Sequence, residues 1–143
     1  MKRATLLSWI GGFLLLSIAF SGCGGGGGGV TAPANPPQLI EGTTVVIPPE
    51  VYPGATVVLE IGYIDLSSTM NEGIAYISHT LDGQTKTYQG LISNAPGSEG
   101  TLVTSFDLSP FVPPGELWLS VFVQNSNGSS SQSILVLLTV LGD

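Results

Sequence analysis

The stretch Ala55-Thr56-Val57-Val58-Leu59-Glu60-Ile61-Gly62-Tyr63-Ile64-Asp65 alternates with a period of two. Successive side chains of an extended chain point to opposite sides, so Val57, Leu59, Ile61 and Tyr63 share one face and Val58, Glu60, Gly62 and Ile64 the other. This reads as a β-strand with one buried face. Pro53-Gly54 ahead of it is a turn signal, and residues 67–73 behind it are a polar loop. Further on, residues 74–81 read as another strand. Asp82-Gly83 is the strongest hairpin signal in the chain, and residues 84–92 return from it. Residues 94–100 form a loop containing Pro96 and two glycines. Residues 101–108 then set Leu102, Thr104, Phe106 and Leu108 on one side. Pro110, Pro113, Pro114 and Gly115 break the chain before a strand at 117–124. The turn Asn125-Ser126-Asn127-Gly128-Ser129-Ser130-Ser131 leads to the last strand, 133–141. Upstream, residues 39–47 are apolar and β-branched and stop at Pro48-Pro49. Seven strands separated by turn signals, with no helical periodicity after Cys23, predict an all-β fold: a seven-stranded antiparallel β-sandwich spanning residues 38–143.

The C-terminal third refines this expectation. Pro114-Gly115-Glu116-Leu117-Trp118-Leu119-Ser120-Val121-Phe122-Val123-Gln124-Asn125, followed by Gly128-Ser129-Ser130-Ser131, resembles the F–G hairpin of bacterial immunoglobulin-like and fibronectin type III domains. Leu117 stands where a corner tyrosine often sits, and Leu119 where antibody-type domains carry their second disulfide cysteine. The resemblance therefore implies a disulfide-free immunoglobulin-like sandwich. A body of this length buries roughly 60–70% of its unfolded surface. Cys23 is the only cysteine, so no disulfide can form within one chain and stability rests on the apolar core.

The N-terminal segment has a different character. Lys2 and Arg3 precede an uncharged, leucine-rich run at 4–20, and small residues follow at Ser21 and Gly22. That is the order of a secretory signal peptide, here residues 1–22. The run is interrupted by Gly11 and Gly12 and is a little short of the ~20 apolar residues of a spanning helix. Phe20-Ser21-Gly22-Cys23 resembles the lipobox of bacterial lipoproteins. The resemblance implies cleavage between Gly22 and Cys23 and lipidation of the Cys23 thiol. In that family a residue other than Asp after the cysteine goes with the outer membrane, and Gly24 is such a residue. Two or three acyl chains hold a protein firmly at a bilayer where one does not. Residues 23–37, with Gly24 to Gly29 and then Pro33, Pro36 and Pro37, read as a flexible tether that spans about 20 Å as a coil. The expected address is the cell envelope.

Charge excludes several partners. All ten acids lie beyond Cys23 and only Lys86 of the three basic residues does, so the side chains there sum to about −9. Such a surface cannot neutralise phosphates, which excludes nucleic acid, and it has no attraction for anionic lipid headgroups. Catalytic groupings are lacking. His79 is the only histidine, which rules out a multi-histidine zinc site, and it reads as a surface or hairpin residue. Ser78 beside it points to the other face, and no G-x-S-x-G elbow occurs. Oxygen ligands for calcium exist in Asp65, Glu72, Asp82, Glu99, Asp107, Asn125 and Asn127, but without the spacing of a calcium loop. No enzyme, metal or cofactor is expected.

The last two strands are apolar on both faces. Leu117, Leu119, Val121 and Val123 oppose Trp118 and Phe122 with Ser120 and Gln124, and Ile134, Val136, Leu138 and Val140 oppose Leu135, Leu137 and Leu141. A sandwich strand buries one face. Either loops or the N-terminal segment cover the second face, or Trp118, Phe122, Leu135 and Leu137 form a partner surface. The expectation is a lipid-anchored module that contacts another envelope protein, in adhesion or assembly. A carbohydrate-binding module contacting polysaccharide is the alternative, and a small enzyme is the least favoured reading.

Overall fold

The computed structural model describes residues 35–143. They form nine strands: β1 (Gln38–Leu39), β2 (Val45–Ile47), β3 (Glu50–Val51), β4 (Thr56–Ile64), β5 (Ile74–Leu81), β6 (Gln84–Leu91), β7 (Glu99–Asp107), β8 (Gly115–Gln124) and β9 (Ile134–Val140). These make two sheets. In the first, β4 is central, with β7 along one side and β1 and β2 in line along the other. The second has the order β3-β9-β8-β5-β6. The alternation in the 55–65 stretch matches its burial, since Val57, Leu59, Ile61 and Tyr63 are all inside. They join one core with Ala75 and Ile77 of β5, the odd-numbered residues 117–123 of β8 and the even-numbered residues of β9.

The N-terminal strand expected at 39–47 is not one strand. Leu39 pairs with Tyr63 and Val45 with Glu60, so residues 40–44 lie against only two residues of β4. The extra length loops out through Gly42, whose φ of 76° suits glycine. The Thr43 hydroxyl closes the loop by donating to the Ile40 carbonyl at 2.6 Å and accepting the Gly62 N–H at 2.9 Å. A Cβ at Gly62 would lie 2.7 Å from that oxygen, so the β4 glycine is part of the same device. Pro48-Pro49, read as a stop, instead carries the chain across to the second sheet. There β3 pairs with β9 in parallel, Glu50 opposite Thr139 and Val51 opposite Val140. The count is therefore nine rather than seven, with one parallel pair in an otherwise antiparallel arrangement.

Elsewhere the expected elements stand within a few residues. Asp82 and Gly83 both have positive φ, 50° and 76°, as a two-residue hairpin between right-twisted strands requires. The chain enters at Gln38 opposite Ile64, at the pole that also carries the 65–73 and 125–133 loops. The opposite pole carries the 53–54 turn, the 82–83 turn and the 108–114 loop, tied in where the Leu108 N–H donates to the Ala55 carbonyl.

Candidate functional site

Antiparallel register brings the outward residues of the second sheet together. Trp118 lies opposite Leu137, Ser120 opposite Leu135, and Phe122 opposite Tyr76. Partners opposite one another share a face, so these side chains form one surface on the side away from the core. Trp118 is 57% exposed, Leu135 69% and Leu137 39%. Ile74 and exposed Leu91 continue it across β5 and β6. Nothing within residues 35–143 covers Trp118, Leu135 or Leu137, so no described loop buries this face. Phe122 is only half-buried, because its ring stacks on Tyr76 with centroids 4.8 Å apart and planes within 10°. That separation matches the spacing of neighbouring strands. The two rings therefore stand upright side by side and turn their edges, not their faces, to solvent. At one end of the surface, Glu50, Thr139 and Glu116 form a row across β3, β9 and β8, and both glutamates are exposed.

Of the seven oxygen ligands considered for calcium, Asp65 and Asn125 do meet, in a different role. Asn125 directs its amide nitrogen at both Asp65 carboxylate oxygens, at 3.4 Å each. Asp65 also accepts the backbone N–H groups of Ser67 at 3.2 Å and Thr69 at 3.0 Å, and both of their hydroxyls. The Asn125 side-chain oxygen Oδ1 accepts the Ser129 N–H, and the Ser126 N–H donates to the Thr69 carbonyl. Asp65 and Asn125 are buried. Burial alone would raise the Asp65 pKa, but the bonds from Ser67, Thr69 and Asn125 outweigh it and hold the carboxyl below its ordinary value. The cluster is a clasp between the 65–69 and 125–129 loops. Glu72, Asp82, Glu99, Asp107 and Asn127 are not drawn into it. Among the described residues no group of three His, Cys, Asp or Glu side chains could hold a metal ion.

His79 lies on the β5–β6 hairpin, one of the two places the sequence reading gave it, but not at the surface. It is 6% exposed and lies on the inward row of β5 with Ala75 and Ile77. Strand parity carries that signal: His79 is two residues beyond Ile77 and shares its face. Tyr88 accepts the Ser109 N–H at 3.1 Å, and its hydroxyl lies 3.0 Å from His79 Nε2, a hydrogen bond whose direction follows the imidazole tautomer. His79 Nδ1 is buried and has no partner. Burial, with the Lys86 ammonium adding to it, lowers the His79 pKa. His79 forms part of the wall of a cleft of about 410 Å³ at this pole, with Lys86, Ser109, Phe111 and Pro113. Cys23 and Gly22, the lipidation and cleavage residues of the sequence reading, lie outside the described residues.

No protein-family model and no curated protein sequence matches the chain. Among solved structures it is similar to a Niemann-Pick type C2 protein from the Japanese carpenter ant, with 8% identity and a TM-score of 0.47 over 76% of this chain and 95% of that one. It is also similar to the sporulation control protein Spo0M from Bacillus subtilis, with 14% identity and a TM-score of 0.45, covering 76% of this chain and about half of that one (50%).

Proposed function

We propose that the protein is a lipid-anchored, extracytoplasmic immunoglobulin-like module that works by protein–protein contact through the outer face of its second sheet. The order of the sheets supports the immunoglobulin-like reading: β4 lies between the N-terminal edge and β7, and β9, β8, β5 and β6 run side by side in the other layer. On that reading they would take the places of strands A, B and E against G, F, C and C′. Anchoring rests on the export signal, the Phe20-Ser21-Gly22-Cys23 motif and the glycine tether.

The observation that carries the functional reading is the exposure of Trp118, Leu135 and Leu137 side by side on regular sheet. Contiguous exposed apolar surface with an aromatic anchor is the composition of an interaction hot spot. Its border selects the partner. Glu50 and Glu116 flank the apolar residues, and no basic residue among the described ones shares that face. Lys86, the one base of the described region, lies opposite inward-facing His79 and so belongs to the other side of the sheet. The partner is therefore an envelope protein that offers an apolar patch bordered by Lys or Arg. A second copy of this acidic chain would bring no complementary charge. Polysaccharide is less favoured, because sugar rings stack on aromatic faces and Phe122 and Tyr76 present edges.

The test is site-specific photocrosslinking in membranes of the source cells, with a benzophenone side chain at position 137 and, as control, at position 60 on the first sheet. A discrete adduct at 137 only, weakened by Trp118→Ala and by Glu116→Lys, is expected. An equal adduct at both positions, or none, overturns the reading. Intact-mass measurement of membrane-extracted protein tests the anchor separately: an unmodified Cys23, or a leader still attached, removes it.

A further inference from the structure

We propose that the cleft between the β5–β6 turn and the 108–114 loop is a binding site for a monocarboxylate carried on an apolar, preferably aromatic, group. This site is independent of the outer face of the second sheet. Four observations converge on it. Its volume, about 410 Å³, falls within the range of small-molecule pockets. Its cation is Lys86, whose ammonium lies 5.9 Å from the centroid of the Tyr88 ring and pairs with no carboxylate among the described residues. In a region of ten acids and one base, an uncompensated lysine beside a cleft is the feature that acidity alone would not supply.

The third observation is Phe111, 91% exposed in a loop that also carries Pro110, Pro113 and Pro114. Its backbone is tied down: the Phe111 N–H donates to the Ser109 hydroxyl and the Val112 N–H to the Ser109 carbonyl. An apolar ring held in water by a fixed backbone is poised to cover an apolar ligand, with little ordering entropy left to lose. The fourth is His79 in the cleft wall, whose Nδ1 is buried without a partner. Most buried polar groups are hydrogen-bonded, and in the tautomer that protonates Nδ1 this unmet nitrogen is complementary to an acceptor such as a carboxylate. Asp82 also lines the cleft, at the hairpin turn. Its charge sets the ligand class: a single carboxylate is accepted, and a dianion such as phosphate is repelled.

The carboxylate could belong to a free aromatic acid or to the C-terminal residue of a polypeptide. Equilibrium dialysis of the full chain, solubilised in neutral detergent, separates these with three probes: 3-phenylpropionate, acetyl-glycyl-phenylalanine with a free carboxylate, and the amide of the same dipeptide. Saturable millimolar binding of at least one acid and none of the amide is expected. Lys86→Gln and Phe111→Ser should each weaken it at least tenfold, Lys86→Arg should retain it, and Asp82→Asn should tighten it severalfold. Dipeptide acid bound at least tenfold more tightly than 3-phenylpropionate assigns the site to a chain end, and otherwise to a free acid. Equal binding of acid and amide, or acid binding unchanged in Lys86→Gln, overturns the proposal. So does the absence of saturable binding by either acid. The exposed positions of Lys86 and Phe111 leave the core of these variants intact, so loss of binding reads on the cleft.

Discussion

Each pole of the sandwich buries an acid or a base, and the two poles treat it in opposite ways. At the pole where the chain enters, Asp65 accepts hydrogen bonds from Ser67, Thr69 and Asn125 on two loops. At the far pole, His79 has one partner, Tyr88, and a second ring nitrogen left over. Both pKa values are lowered, yet the meaning differs. For an acid a lowered value favours the charged form, which the clasp has built itself to hold. For a base it disfavours the charged form, which the cleft wall is not equipped to hold. Complete satisfaction marks a structural device; a remainder marks a place where something else can fit.

The sharpest way to break this contrast is Asp65→Ala. It would leave the part-buried Ser67 and Thr69 N–H groups without an acceptor and the Asn125 amide with only the Ser67 hydroxyl, at about 1–3 kcal/mol for each unmet group, partly relieved by water. A loss of about 3–5 kcal/mol is expected, read from the urea midpoint of unfolding. A loss below about 1 kcal/mol would mean that the clasp closes nothing. Leu119→Ala, in the middle of the inner row of β8, should cost a comparable 2–5 kcal/mol by opening a cavity.

pH sharpens it further. The folded pKa of His79 lies below the unfolded value of 6.5, so as pH falls through 6.5 the unfolded chain takes up a proton that the folded one refuses. Stability should therefore decline on acidification from 6.5 toward the folded value, by no more than about 1.4 kcal/mol per pH unit. His79→Leu should flatten urea midpoints between pH 7 and 5, and a variant as steep as the parent would reassign the effect. Asp65 acts in a lower window. Its folded value lies below 3.8, so its contribution is complete above 3.8 and is lost as pH drops through the folded value. Asn125→Leu, which removes one of the donors, should bring acid unfolding on at higher pH.

What was legible in the sequence follows the same division. Strict alternation at 55–65 and the Asp82-Gly83 turn fixed β4 and the β5–β6 hairpin, because side-chain period and turn conformation are local properties. The break between β1 and β2 was not legible. It depends on Thr43 reaching Gly62, and on prolines redirecting β3 to the other sheet, both settled by residues distant in sequence. Trp118, Leu135 and Leu137 could be placed on one face from parity alone. The partial burial of Phe122 could not, since it requires knowing that β5 sets Tyr76 beside it. The Asp65–Asn125 clasp joins residues sixty positions apart and leaves no local pattern; in the sequence Asp65 is a candidate oxygen ligand, and Asn125 is that and a turn residue. His79 stands on the hairpin, as residue type near a turn suggests, but its burial follows from parity with Ile77, a matter of face rather than type.

The smallest expected effect on stability is the one that matters most for function. Trp118 and Leu119 are neighbours on β8, exposed and fully buried respectively. Surface substitutions away from structural devices usually change stability within about 0.5 kcal/mol. Trp118→Ala, losing only its contact with Leu137 across the strand pair, should stay near that range while Leu119→Ala does not. If the outer row exists for contact, Trp118→Ala should nonetheless abolish the adduct at position 137. A drop in stability approaching that of Leu119→Ala, with the adduct retained, would mean that Trp118 belongs to the core and that the outer face has no partner to lose.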